Sequence, residues 1–334
     1  MENYISEKVL LLNKKGELNN KGYSTKMNFI YNKENIKCGP LKLKEWNFYQ
    51  FIKNNYVIQL TIGHVSYACS VTATLIDLNS GLKDEMNVMK FFYKPKLDLN
   101  PETNSKNEFV HKDFLMSFEV VNDKRILKFK GSNKKYNDVE VYLEIDNNID
   151  NEKMVIATPF KKKNQFYLNY KENYYLANGF VKFDEKVIDF NNSTGLLDWG
   201  RGVWPYKHEW FWGSLSYNAN NYNLGFNIGW GFGDLSNATE NMYFYKNKAY
   251  KVEKLFVNRN VDNYMDKWEL YDKDKNIYLK FSPIYDNYTE NKLIIVNTHC
   301  NQVYGKFNGY IKTNEGTINI DNLIGFIEHA VNRW

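Results

Sequence analysis

A long succession of short segments rich in β-branched and aromatic residues constrains the fold of this chain more than any other feature. Two such segments lie at 56–62 and 71–76, and the turn Asn79-Ser80-Gly81 follows the second. Further strands are predicted in the second half, at 210–216, 224–231, 242–245, 250–257, 268–271, 277–281, 293–296, 304–311 and 317–320. Short strands at this spacing, with few helical stretches, are typical of closed or nearly closed antiparallel sheets. The aromatic share of 17% agrees, because tyrosine and phenylalanine favour pleated, half-buried surfaces.

The clearest predicted hairpin lies between residues 126 and 145. Ile126 and Phe129 lead into the turn Gly131-Ser132-Asn133, and an alternating segment follows at 139–145. In that segment aliphatic residues occupy the odd positions, and glutamate or tyrosine occupies the even ones. A period of two predicts a strand with one buried and one solvent-exposed face.

The C-terminal segment is open to two interpretations. One is a helix, because an apolar stripe at helical spacing is formed by Leu323, Phe326, Ile327, Ala330 and Val331. The other is a continuation of the strands over 318–328 around Asp321-Asn322. A run this short does not decide between them.

Charge, cysteine content and hydropathy argue against nucleic-acid binding, an oxidising compartment and a transmembrane helix. The net charge of +5 arises from 44 basic and 39 acidic residues, a surplus too small and too scattered to predict nucleic-acid binding. The three cysteines lack metal-ligand spacing and leave an odd residue, as expected for reduced thiols in a cytoplasmic protein. The N-terminus has no signal-peptide pattern, and no apolar run reaches the roughly 18 residues of a transmembrane helix.

The stretch Asp198-Trp-Gly-Arg-Gly-Val-Trp-Pro-Tyr206 concentrates the unusual chemistry of the chain, and Trp210 and Trp212 follow it. Its two glycines and its proline predict a shaped turn that leads into a strand. The polar stretch 191–195 immediately before it is the best domain boundary. We therefore expect two domains, at 1–195 (with a lead-in segment) and 196–334.

Asp198 and Arg201 are the first candidates for chemistry. They are three residues apart, so they could form a bidentate pair that orients the carboxylate. In the functional interpretation Asp198 is an acid or base whose pKa is set by burial and by the arginine charge. In the structural interpretation the two residues form an ion pair that fixes a turn between domains.

The tryptophans of this region have two interpretations as well. Trp199, Trp204, Trp210 and Trp212 could line an apolar pocket or belong to an ordinary core between sheets. Residues 210 and 212 share a face if their segment is a strand. If the C-terminal segment is also a strand, Glu328 and His329 point to opposite faces of it. The histidines show no zinc-helix spacing, and the glycine-rich run 229–233 lacks the spacing of a dinucleotide loop. We therefore predict no metal site and no cofactor.

The central stretch resembles the signature of the bacterial domain-of-unknown-function family 2804. The resemblance extends from Gly16-Glu-Leu-Asn-Asn-Lys-Gly-Tyr23 through Asn227-Ile-Gly-Trp-Gly231 and Ala238-Thr-Glu-Asn241 to Gly325-Phe-Ile-Glu-His329. That family is similar in fold to the carotenoid 1,2-hydratase and tocopherol-cyclase-like calycin groups. The resemblance implies an all-β fold of two tandem lipocalin-like antiparallel β-barrels, which can hold a small ligand in the mouth or interior. The related enzymes protonate or cyclise isoprenoid alkenes without a cofactor.

Three functional hypotheses follow for the aromatic pocket. The first is cofactor-independent acid–base chemistry (hydration, isomerisation or cyclisation) on a hydrophobic molecule such as an isoprenoid or lipid. Its catalytic residues would be Asp198 as the acid, Arg201 as its orienting partner, and Tyr206 or Glu328 as a proton relay. Ligand-binding roles are assigned to Trp199, Trp204, Trp210, Trp212, Asn227, Asn241 and His329. The alternatives are a lipocalin-like carrier and a structural protein whose motif is only an inter-barrel salt bridge; the oligomeric state is open.

Overall fold

The structure is a computed structural model, and it describes residues 2–92, 97–147, 150–219, 222–292 and 297–334. The strand predicted at 293–296 lies outside these ranges. The first part of the chain forms β1 (Val9–Leu10), β2 (Gly22–Ser24), β3 (Phe29–Ile30), β4 (Leu43–Lys53), β5 (Tyr56–His64), β6 (Ala68–Asp77), β7 (Leu82–Phe91), β8 (Asn107–His111), β9 (Phe114–Val121), β10 (Lys124–Gly131), β11 (Val139–Asp146), β12 (Met154–Pro159), β13 (Phe166–Phe183), β14 (Lys186–Asp189) and β15 (Ser193–Val203). The second part forms β16 (Lys207–Ala219), β17 (Tyr222–Trp230), β18 (Met242–Tyr245), β19 (Lys248–Lys251), β20 (Leu255–Asn258), β21 (Trp268–Asp272), β22 (Ile277–Lys292), β23 (Asn297–Thr313) and β24 (Gly316–Arg333). The one helical element in the described ranges is a 3-10 turn at Lys33–Asn35.

These strands form two large antiparallel sheets, apart from the small parallel pair β1–β3. The main path of the first sheet is β7-β6-β5-β4-β15-β13-β11-β10-β9-β8, with β12 and β14 paired to β13 and β2 paired to β12. The second sheet runs β19-β18-β17-β16-β24-β23-β22-β21-β20. In each sheet the two edge strands are consecutive in the chain, so each sheet is a curled half-barrel. The expected all-β fold of two tandem lipocalin-like barrels is confirmed.

Each curled sheet encloses its own apolar core, as the period of two requires. In β4 the side chains of Tyr49 and Phe51 point into the first core, and Leu60 and Ile62 of β5 join them. The second core is formed in the same way by residues such as Phe307 of β23. Both barrel interiors are therefore packed with side chains.

The outer faces of the two sheets also contain apolar residues, and these pack against each other. Leu196 of β15 and Val57 of β5 belong to one cluster with Trp212, Tyr304 and Phe326 of the second sheet. Because alternate residues point to opposite faces, the central strands are buried on both sides. The contact between the outer faces therefore holds the barrels together.

The central stretch is not the turn that its glycines and proline predicted. Residues 198–203 continue strand β15, and the chain leaves the first sheet only at 204–206 before β16 begins at Lys207. The glycines make room for close packing: a Cβ on Gly200 would lie 2.0 Å from the Trp46 indole, and one on Gly202 would lie 2.4 Å from the Phe166 carbonyl oxygen. The two sheets therefore divide after β15, later in the chain than the predicted boundary at 195/196.

The structure also tests the predictions for the 126–145 hairpin and for the C-terminal segment. The hairpin around Gly131 is confirmed, with Phe129 paired to Val141 and Leu127 paired to Leu143 across β10 and β11. The C-terminal segment is a strand and not a helix, because β24 pairs with both β16 and β23. Among the described residues, no helix has the length and apolar character needed to cross a membrane.

We predict that Gly200→Ala destabilises the protein by about 1–3 kcal/mol, the usual cost of overpacking. The added methyl group would displace the Trp46 indole, which is held by stacking on Tyr167 at a centroid distance of 5.7 Å and by a hydrogen bond to Asp198. Urea unfolding measures the change. Gly39→Ala is the matched control, because the nearest atom to its new Cβ is the end of the Lys42 side chain at 3.9 Å. Equal stabilities of the two variants would contradict this account of Gly200.

Candidate functional site

A cavity of about 540 Å³ lies between the outer faces of the two sheets. It is not in the mouth or interior of either barrel, where a ligand was expected, because the two apolar cores fill those interiors. Its walls come from the first sheet, the second sheet and the 204–206 link. Its aromatic lining includes Trp46, Tyr167, Trp204, Trp210, Trp212 and Phe232. A volume of this size is sufficient for a small organic ligand.

Asp198 of β15 brings one carboxyl group to this cavity. One carboxylate oxygen accepts a hydrogen bond from Trp46 Nε1 at 3.2 Å, and the other accepts one from Asn169 Nδ2 at 2.6 Å. Burial raises the pKa of Asp198, although the Lys171 charge and both hydrogen bonds act in the opposite direction. Asp198 is thus a positioned carboxyl group with a weakened tendency to ionise.

Glu328 of β24 brings a second carboxyl group from the other sheet. It accepts a hydrogen bond from Trp210 Nε1 at 2.7 Å and one from Gln302 Nε2 at 3.2 Å. Burial raises the pKa of Glu328 to about 7, and the nearby charge of Asp198 contributes to the rise. Both the acid and its conjugate base are therefore populated near neutral pH.

The two carboxyl groups have matching surroundings. Each is on the middle strand of three and receives an indole N–H from one neighbouring strand and an amide N–H from the other: β4 and β13 around β15, β16 and β23 around β24. The register is also the same in the two sheets. Asp198 is paired with Phe48, two residues after Trp46, and Glu328 is paired with Trp212, two residues after Trp210. Each barrel therefore contributes one carboxyl group, held by neutral donors, to a shared cavity.

Lys171 and Glu240 connect the barrels beside these carboxyl groups. Lys171 is paired directly with Asp198 across β13 and β15, and its Nζ lies 3.0 Å from Glu240 Oε2. The same ammonium group lies 4.0 Å from the centroid of the Trp212 ring. Asn227 supports the two residues that contact Lys171. It accepts a hydrogen bond from Trp212 Nε1 at 2.6 Å and donates one to the Glu240 carbonyl oxygen at 2.7 Å. This ion pair and cation–π contact therefore cross the interface between the sheets.

The Tyr167 ring stacks on Trp46 and contacts Trp204 edge-on at 5.6 Å. Burial raises the pKa of Tyr167 well above its ordinary value, and the carboxylates of Asp198, Glu240 and Glu328 add to the effect. Its hydroxyl group makes no side-chain hydrogen bond with the residues that the structure describes. Tyr167 thus presents a neutral O–H donor close to the acidic groups.

Arg201 does not pair with Asp198, which corrects the sequence hypothesis. The two residues are three apart in a strand, so their side chains leave opposite faces of β15. The Arg201 guanidinium is buried in the first barrel, where Nε lies 3.4 Å from Glu45 Oε1 and Nη1 donates to the Trp46 carbonyl at 2.7 Å. Arg201 is therefore a structural cation and cannot orient the Asp198 carboxylate.

Trp199 and Tyr206 also lie away from the cavity. Trp199 points with Arg201 into the first barrel, 4.0 Å from its guanidinium carbon, for the same reason of strand alternation. Tyr206 is 47% exposed on the link, next to Arg333. The structure thus gives neither residue a place in the lining, in contrast to Trp204, Trp210 and Trp212.

The remaining predicted residues surround the site without lining it. Asn241 accepts from the Gly229 backbone N–H at 3.1 Å and supports the strand beside Glu240. His329 faces away from Glu328, as its position in a strand predicted, and stacks on Phe211 at 3.9 Å. Its Nδ1 lies 2.6 Å from the Tyr264 hydroxyl. Neither side chain has direct access to a ligand in this cavity.

Sequence reasoning missed the residues that hold the carboxyl groups. Trp46, Asn169, Lys171, Glu240 and Gln302 come from four separate parts of the chain, and the pairing of distant strands brings these parts together. The signal that could have identified them was a polar or tryptophan side chain on the face of a strand opposite its apolar face. Without the pairing of the strands, that signal does not specify partners.

Comparisons with known proteins agree with the fold. The sequence profile of the family described as domain of unknown function, DUF2804, matches residues 2–334. Kievitone hydratase from Nectria haematococca is similar in structure, with a TM-score of 0.51, 11% identity, and 98% of each chain covered. An AttH-like protein from Nitrosomonas europaea is also similar, with a TM-score of 0.51, 10% identity, and coverage of 88% of this chain and 92% of that chain. No curated protein sequence gave a significant match.

We predict that Arg201→Met destabilises the protein by about 3–5 kcal/mol, because it leaves the buried Glu45 carboxylate without one of its cations. Thermal and urea unfolding measure the loss. Arg333→Met is the control, because that guanidinium is exposed and its removal should change stability by less than about 0.5 kcal/mol. An Arg201→Met protein as stable as the control would contradict the structural role.

We also predict a pH-dependent stability difference between the wild type and Glu328→Gln. The folded-state pKa of about 7 lies above the ordinary 4.5, so the folded state binds more protons than the unfolded state between these values. The contribution of Glu328 to stability is complete below about pH 4.5 and is lost as pH rises through 7. Relative to the wild type, Glu328→Gln should therefore gain about 3 kcal/mol from pH 4.5 to 8.

Urea unfolding of both proteins at several pH values measures this difference. The control is Glu209→Gln, because Glu209 is exposed on β16 and its variant should follow the wild-type profile. Parallel profiles for Glu328→Gln and the wild type would show that the buried carboxyl group titrates normally.

Proposed function

The chain belongs to the DUF2804 family, and from this premise and the geometry of its cavity we propose that it binds a hydrophobic small molecule and transfers a proton to it. The reaction class is cofactor-independent acid–base chemistry: hydration, isomerisation or cyclisation of an unsaturated ligand. The site is the cavity between the barrels, and the acid–base groups are Glu328 and Asp198.

One observation carries this proposal: two buried carboxyl groups face one aromatic cavity with no ion pair of their own. Asp198 and Glu328 accept hydrogen bonds only from neutral groups in the described part of the chain, and neither lies within 4.0 Å of a basic group. Titratable groups whose pKa values are shifted by burial in a cleft are typical of catalytic sites. A carboxyl group maintained only for structure is normally paired.

The surroundings favour different roles for the two groups. A pKa near 7 suits Glu328 to donate a proton at neutral pH. Burial raises the pKa of Asp198, but its two N–H donors and the Lys171 charge oppose this rise and favour the ionised form. We therefore assign the general acid to Glu328 and the general base to Asp198, whereas the sequence hypothesis made Asp198 the acid.

In the proposed reaction Glu328 gives its proton to one carbon of a substrate double bond, and the other carbon becomes cationic. For hydration, water adds to that carbon while Asp198 takes the released proton. For isomerisation or cyclisation, Asp198 instead takes a proton from a neighbouring carbon. The rings of Trp46 and Trp210, which line the cavity, can stabilise the cation. Protons and electrons balance, and solvent exchange restores the two carboxyl groups.

Two further observations support the proposal. The fold is shared with a kievitone hydratase, although at 11% identity this likeness extends to the fold alone. The structural hypothesis required Asp198 to be sealed in a salt bridge with no cavity beside it, and Asp198 instead lines a cavity and has neutral partners. A carrier with the same pocket is the other outcome that the experiment below tests.

We predict that Glu328→Gln and Asp198→Asn each reduce kcat at least 100-fold and change ligand affinity less than tenfold. Both substitutions keep the shape of the side chain and remove its proton transfer. The substrate is the compound that co-purifies with the protein, identified by mass spectrometry. Turnover in D₂O should place one deuterium on carbon, and kcat should fall as pH rises above about 7, because Glu328 then loses its proton.

Glu209→Gln is the matched control and should retain full turnover, because its carboxyl group is exposed. Circular dichroism and ligand binding show that each variant is folded. Recovery of the ligand unaltered and without deuterium after incubation with the wild type would establish a carrier. Full turnover in a folded Glu328→Gln protein would remove the acid from the mechanism.

A further inference from the structure

The two ends of the cavity differ in chemistry. One end is aromatic and contains Trp46, Tyr167, Trp204 and Phe232. The other end is lined by neutral hydroxyl and amide side chains that the proposed chemistry does not use: Gln59, Thr61, Thr72, Asn287, Thr289 and Gln302. A ligand that occupies the whole cavity must therefore match both surfaces.

Strand register builds the polar end from two sheets. Thr61 is paired directly with Thr72 across β5 and β6, so both hydroxyl groups are on the outer face of the first sheet. Asn287 is paired with Gln302 across β22 and β23, on the outer face of the second sheet. The Gln59 amide N–H joins these walls by donating to Gln302 Oε1 at 2.6 Å. The polar end is thus a built surface with contributions from both barrels.

Several polar atoms of this end have no hydrogen-bond partner among the residues that the structure describes. Asn287 is 6% exposed, and its Oδ1 is a buried acceptor without a hydrogen bond in the described structure. The hydroxyl groups of Thr61 and Thr72 make no side-chain hydrogen bond within the described residues, whereas Thr74 next to them donates to Glu85. An unsatisfied buried acceptor costs free energy unless a ligand or water completes it. These atoms therefore provide hydrogen-bonding positions for a ligand.

The charges around the cavity determine which polar group fits. Each basic side chain in the lining is already within salt-bridge distance of a carboxylate: Lys171 with Glu240 at 3.0 Å, Lys83 with Glu85 at 3.2 Å, and His64 with Glu45 at 2.8 Å. Asp198 and Glu328 add two carboxyl groups without a basic partner. A buried anion needs a pairing cation, and this lining offers none that is unpaired. A carboxylate or phosphate ligand would meet net negative charge.

We infer that the ligand is an uncharged amphiphile, with a flat unsaturated or aromatic body against the tryptophans and at least one hydroxyl group at the threonine–asparagine end. Fatty acids and isoprenoid phosphates are excluded by charge. This inference rests on the proposed function for the location of the site, and it adds the class of substrate.

A matched series of probes tests the inference: farnesol, farnesoic acid, farnesyl phosphate and the hydrocarbon farnesene. Binding is followed by the fluorescence of the tryptophans that line the cavity, which include Trp46, Trp204, Trp210 and Trp212. At pH 8 farnesol should bind at least tenfold more tightly than either anionic probe, and on the order of fivefold more tightly than farnesene for each hydrogen bond formed. Equal or tighter binding of farnesyl phosphate would overturn the inference.

Substitutions at the polar end provide a second test. Thr72→Val and Asn287→Leu should each weaken farnesol about fivefold and leave farnesene unchanged. Thr317→Val is the control, because that threonine is exposed far along β24 from Glu328. Asp198→Asn should strengthen binding of farnesoic acid, since it removes a negative charge from the lining.

The outcomes separate this inference from the proposed function. Tight binding of all four probes, unaffected by Thr72→Val and Asn287→Leu, would overturn the substrate class and leave the acid–base proposal in place. No response to any probe in the wild-type protein would count against a hydrophobic ligand and thus against both. Loss of farnesol selectivity in Thr72→Val and Asn287→Leu, but not in Thr317→Val, would support the inference.

Discussion

Burial of strand β15 on both faces is the constraint on which the rest of the structure depends. Its inner face places Arg201 in the first barrel, where Glu45 lies within ion-pair distance and Asn47 and backbone carbonyl groups accept hydrogen bonds from the guanidinium. Its outer face places Asp198 in the cavity shared with the second barrel. Two ionisable residues three positions apart therefore have separate environments: Arg201 is paired with a carboxylate, whereas Asp198 has only neutral hydrogen-bond donors. This separation makes Arg201 a structural residue and leaves Asp198 available for chemistry.

The second barrel packs on the outer face of the first barrel, and the cavity forms between them. An isolated curled sheet would expose Phe48, Gln59 and Asp198 to water, where Asp198 would ionise normally. Packing of Trp212, Phe326 and Tyr304 against that face removes the water and lowers the local dielectric. The Lys171–Glu240 ion pair crosses the same interface. Assembly of the two barrels and the raised pKa values of the two carboxyl groups are thus consequences of the same packing.

The sequence predicted the fold better than the site, for a physical reason. Alternation of apolar residues is a local property, so the β10–β11 hairpin and the all-β architecture follow directly from segments such as 139–145. Strand partners are not local: the proximity of Asp198 to Trp46 and Asn169, and of Glu328 to Gln302, depends on register between distant segments. The glycines at 200 and 202 were misleading, because close packing and a turn require the same residue type. If β15 is recognised as a strand, the alternation of its side chains already places Asp198 and Arg201 on opposite faces.

The cost of the buried carboxyl groups is itself an argument about function. A pKa near 7 in place of 4.5 means that ionised Glu328 destabilises the fold by about 3 kcal/mol above neutral pH. Glutamine at this position could still accept the Trp210 hydrogen bond and would carry no charge, at the cost of an amide N–H that faces the Gln302 N–H donor. A carrier of uncharged ligands has no need of an ionisable group here. Departures from local stability are expected where a site requires them. The retained carboxyl group, beside a second one held in the same manner by Trp46 and Asn169, therefore favours proton transfer over simple binding.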